Sequence, residues 1–94
     1  MIKLVEVIQT LNNSFKFREI YINPDHVVLL REDLNMKGRL DEGKYDFPEG
    51  LDVRQSFTKI QLFNGSTGSE FVVVGTPNTV ETKLKGAKKE LLHG

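Results

Sequence analysis

A mainly β domain with one C-terminal helix is what this chain predicts, and three observations carry that reading. Five short stretches are rich in β-branched and aromatic residues, punctuated by Asn-Pro and Asn-Gly turn signals. A helical apolar spacing appears only once over a long stretch, after Thr76-Pro77. The 94 residues suit a single domain with one modest core. The predicted architecture is a small antiparallel barrel or curved sheet of about five strands, followed by the helix.

The elements follow in order. Ile2–Gln9 is the first strand, although its apolar positions change parity between Leu4 and Val5. Such a switch means either two buried faces or a bulge. Leu11-Asn12-Asn13-Ser14 is a turn, and Phe15–Ile22 is a second strand with a similar switch between Phe17 and Ile20. Asn23-Pro24-Asp25 ends it, because proline has no amide hydrogen and holds Asn23 extended. His26–Arg31 resumes as a strand. From 33 to 55 periodicity is lost, and the stretch reads as an irregular acidic insertion with room for a short hairpin around Glu42-Gly43. As an insertion, its residues 36–53 should be removable with the sheet left intact. Phe57–Phe63 and Ser69–Val74 form a hairpin about Asn64-Gly65-Ser66-Thr67-Gly68. Thr76 is a good N-cap, Pro77 suits the first helical position, and Val80, Leu84, Ala87 and Leu91 give one apolar face to a helix over 77–92.

Composition narrows function. Apolar residues are 38% and charged residues 28%, and the longest apolar runs are four residues, so neither a disordered tail nor a helical membrane span is expected. Glu6 interrupts the N-terminal apolar stretch, which points to a cytoplasmic protein. Without cysteine there is no disulfide, thiolate metal site or thiol nucleophile. Thirteen basic residues balance thirteen acidic ones, so nucleic acid is not an expected partner.

The residues above resemble the FlbD/SwrD family of small bacterial proteins linked to flagella. The matching pieces are Met1-Ile2-Lys3-Leu4, Ile22-Asn23-Pro24-Asp25, Ile60-Gln61-Leu62-Phe63-Asn64-Gly65 and Phe71-Val72-Val73-Val74. The first hairpin here is longer, and the acidic insertion departs from the family pattern. The resemblance implies the same strand order and a protein-interaction accessory role, flagellar or in phage.

His26 and His93 lack convergent partners in the sequence, and the acids of 41–52 lack calcium-loop spacing, so no catalytic residue, metal site or cofactor is expected. Gly75-Thr76-Pro77-Asn78-Thr79 matches neither nucleotide fingerprint, yet a helix start offers free amides to an anion. The candidate ligand-binding residues are therefore Thr76, Asn78 and Thr79, with Arg18, Arg31 and Lys59 as cations on strands; the alternative is a capped helix with nothing bound. Acidic 32–52 and the lysine-rich end (Lys83, Lys85, Lys88, Lys89) suit homo-oligomerisation, or simply a solvated surface. The resulting expectation is a non-catalytic, homo-oligomeric binding module that holds a small anionic, nucleotide-like ligand between subunits. A second is a partner-docking accessory anchored by Tyr45 and Phe47. A third, the weakest given the neutral net charge, is an Sm-like RNA-binding barrel with Phe15, Phe17, Tyr21, Phe57 and Phe63 as a stacking surface, although aromatics on strands are more often core.

Overall fold

The computed structural model describes residues 1–11, 13–63 and 65–93, the last seven by backbone alone. Five antiparallel strands form one sheet that does not close: β1 (Ile2–Gln9), β2 (Phe15–Ile22), β3 (Val27–Glu32), β4 (Phe57–Phe63) and β5 (Gly68–Val74). Their order is β2-β1-β5-β4-β3, so β2 and β3 are the edges. The chain between β2 and β3 makes a short 3₁₀ turn, Pro24–His26, in which the Asn23 side chain accepts from the Asp25 amide.

Pairing of β1 with β2 runs in unbroken register from Ile2↔Ile22 to Gln9↔Phe15. The parity switch in both strands therefore reflects two buried faces rather than a bulge. On one face Ile2, Leu4, Ile22, Ile60 and Val73 pack with Val80 and Leu84 of helix α2 (Pro77–His93). On the other, Val7, Phe15 and Phe57 pack with Met36, and Phe47, Tyr45, Leu40 and Leu51 close over them. The sheet is thus sandwiched near its centre, with a helix on each side. Ala87 and Leu91, expected on the same apolar face of α2, and Lys88 and Lys89 lie outside the residues whose side chains are described.

Residues 33–55 correct the sequence reading. An α-helix, α1 (Leu34–Glu42), replaces the expected irregular stretch, and no hairpin forms at Glu42-Gly43. Asp33 caps it by accepting from the Met36 amide, and Gly43, at φ 72°, supplies the left-handed residue that ends it. The excursion leaves and rejoins the sheet at one rung, where the Asp33 amide donates to the Phe57 carbonyl at 2.9 Å. Removing 36–53 would uncover Phe15 and Phe57, so this stretch supports the fold as well as decorating it.

Candidate functional site

The cations singled out in the sequence are divided by the sheet. Arg18 sits on β2 and Arg31 on β3, at opposite edges and about 19 Å apart at ordinary strand spacing. Arg18 is also engaged: its guanidinium donates to the Glu6 carboxylate at 2.9 Å, across the β1–β2 pair. Glu6 is only 9% exposed and lies opposite Val73, so this ion pair neutralises a carboxylate held in the sheet centre.

Arg31 and Lys59 do meet, as directly opposed residues of β3 and β4. Together with Glu32, Asp33, Leu34 and Asn35 they line an open pocket of about 200 Å³ beside the start of α1. Its charge is mixed. The Asp33 carboxylate already serves the helix cap, and Lys59 approaches Glu70 at 4.0 Å. Arg31 takes part in none of the ion pairs formed among the described residues. Asp33, Leu34 and Asn35 went unnoticed as lining residues. The available signal was the spacing from Asp33, a cap residue, to Gly43, a helix terminator.

Thr76, Asn78 and Thr79 stand apart from that pocket, at the start of α2. The Thr76 hydroxyl accepts from the Thr79 amide at 3.1 Å and lies 2.9 Å from the Thr79 hydroxyl, so the first turn is capped from within. The Asn78 carbonyl receives the Thr82 hydroxyl at 2.9 Å. Thr76→Ala should cost about 1 kcal/mol of stability, read by denaturant titration, because the Thr79 amide loses its acceptor. An unchanged midpoint would mean that water serves that amide equally well.

Tyr45 and Phe47 are turned inward. Phe47 stacks on Phe15 with ring centres 4.8 Å apart, and Tyr45 lies 5.8 Å from the same ring. The Arg39 guanidinium sits 5.8 Å from both the Phe15 and Tyr45 rings. All five rings face the same side of the sheet, but Phe57 and Phe15 are buried there, and the exposed Tyr21 and Phe63 stand three strands apart, so no continuous stacking surface is presented.

The Asp52 carboxyl is held below its usual range, first by the Arg54 side chain and then by the Arg54 amide, against a small opposing desolvation. Both contacts close an exposed turn of the 43–56 stretch. Among the described residues, no group of three His, Asp or Glu side chains is placed to share a metal ion. No helix among them is long and apolar enough to cross a membrane.

A different surface emerges along β3. Val28, Leu29, Leu34 and Phe63 are exposed there, with Leu29 and Phe63 on the same sheet face as Arg31 and Lys59. The other edge, β2, exposes Lys16, Arg18 and Glu19 together with Tyr21. Comparison with protein-family models, with curated proteins and with solved structures returned no match.

Proposed function

We propose that this protein is a non-catalytic binding module that works as a pair of identical chains joined along the β3 side, with a small anionic ligand held at Arg31 and Lys59 beside the seam. The observation that carries this reading is the contrast between the two sheet edges. β2 exposes Lys16, Arg18 and Glu19 beside Tyr21, and such charges discourage strand addition, whereas the first part of β3, Val27-Val28-Leu29-Leu30, leaves Val28 and Leu29 exposed ahead of the charged Arg31 and Glu32. Exposed Phe63 lies near Leu29 on the same sheet face, and Leu34 is exposed beyond the charged end of β3. A bulge at Val28, between the Val27↔Leu62 and Leu29↔Gln61 pairs, limits the regular edge to Leu29–Glu32. A short edge of this kind favours a closed two-fold pair over open-ended growth. A second copy fits because the net charge is zero, so like chains do not repel at long range.

Sedimentation velocity tests the assembly. The wild type should run as a dimer at high micromolar concentration, and Leu29→Lys should run as a monomer whose melting temperature matches that of the wild type diluted below its dissociation constant. Leu29 is 42% exposed, so its loss should barely touch the fold. A strictly monomeric wild type would overturn the paired reading and leave the accessory role implied by the flagellar-protein resemblance as the better one. For the ligand, millimolar phosphate or nucleotide should raise the melting temperature of the wild type but not of Arg31→Ala. Absence of any shift ends the anion reading and leaves the assembly standing.

A further inference from the structure

We infer that residues 33–56 form a lid that opens as one unit about a single hinge, exposing an apolar floor on the sheet. Both ends of this 24-residue stretch are fixed at the same place. The Asp33 amide donates to the Phe57 carbonyl at 2.9 Å, and the Gly75 amide to the Ser56 carbonyl at 2.9 Å. The stretch can therefore move without altering the β3–β4 register that continues below it, from Glu32↔Thr58 onward.

Far from the hinge, one clasp holds the lid to the sheet. The Phe15 amide donates to the Asp46 carbonyl at 2.7 Å, and the Asp46 amide to the Asn13 carbonyl at 3.1 Å. Beside the clasp, Phe47 lies between Phe15 and Phe57, with ring centres 4.8 and 6.2 Å away. Clasp and latch thus sit together on residues 45–47, while Met36, Leu40 and Leu51 pack on the same floor and part from it in the same opening. Beneath it lie Val7, Phe15, Phe17, Phe57, Val72 and Val74, a continuous apolar floor contributed by four strands. The face packed against α2 keeps its own core, so the sheet remains assembled while the lid is open. A nine-residue helix is too short to persist off the sheet, and α1 melts as the lid lifts.

Native-state hydrogen exchange on the full chain, in mild denaturant, tests this. The amides of Phe15, Lys37 and Asp46 should exchange through one shared opening, at least tenfold more frequent than the opening that exposes β4 and β5. Phe47→Ala weakens only the closed state, so it should raise exchange of that group tenfold or more and raise β4 and β5 by a similar factor, with the lid amides still at least tenfold ahead. Ser14 and Asp46 form a bridge pair, and the chain has no other cysteine to interfere with Ser14→Cys/Asp46→Cys. That cross-link should bring the lid amides down to the rate of β4 and β5. The lid is refuted if all these amides exchange in one global process. It is equally refuted if the cross-linked chain exchanges its lid amides at the wild-type rate.

Discussion

Phe57→Ala is expected to destabilise the protein by about 3–5 kcal/mol, the largest effect of any single truncation among the described residues. Phe57 has no exposed surface and begins β4, opposite Val74. Its ring is the part of the sheet on which Phe47 rests, and its carbonyl receives the Asp33 amide. Truncation leaves a void bounded by strands on one side and by the 33–56 stretch on the other, and only the latter can settle inward. Urea titration should show a lower midpoint with an unchanged slope. Phe63→Ala is the control: this residue is 50% exposed, and its loss should stay within about 0.5 kcal/mol. A loss at Phe57 below about 1 kcal/mol, well short of the usual range, would mean that the covering stretch closes the gap.

Arg18→Ala should cost about 1–3 kcal/mol, mostly by stranding a carboxylate. The Arg18 side chain is 60% exposed, so screened attraction alone contributes little. Glu6, by contrast, has an 11% exposed side chain and no second cation among the ion pairs of the described residues. Replacing Glu6 by glutamine in the Arg18→Ala background should recover a large part of the loss, since a neutral amide is cheaper to leave half-satisfied. A double-mutant cycle in urea measures that coupling directly. Independent, additive losses would show that the carboxylate reaches water unaided. Either way the experiment concerns stability, which is where the geometry places Arg18, rather than ligand capture.

The strands and the second helix were legible because their signals are local. Alternation, the Asn-Pro and Asn-Gly punctuation and the Thr76-Pro77 start each act within a few residues, whereas the parity switch in β1 left two buried faces and a bulge both open until the register decided for two faces. What covers the second face was not legible. Helix α1 has nine residues with Gly38 at its centre, and Met36 is its one buried residue, so no apolar stripe repeats often enough to stand out. Tyr45 and Phe47 look isolated in sequence because their partner, Phe15, lies 30 and 32 positions earlier. The candidate site divides in the same way. The Glu6–Arg18 pair follows from counting back from the first turn, since these residues face each other in a hairpin. The meeting of Arg31 with Lys59 needs the β3–β4 register across a 24-residue excursion, which no local rule supplies.

The strand order also has a kinetic consequence. Pairings β1–β2 and β4–β5 close short loops, whereas β1 reaches β5 through Glu6↔Val73, 67 positions apart. Loop-closure entropy grows with the logarithm of length, so this seam costs about 2 kcal/mol more to close than a five-residue hairpin. The chain is accordingly expected to form its β1–β2 and β4–β5 hairpins first, with the long-range β1–β5 and β3–β4 pairings closing later and setting the folding rate. Until the two hairpins dock, β1 and β5 each present an unpaired apolar edge, which makes the interval before docking the time when this protein is most exposed to aggregation.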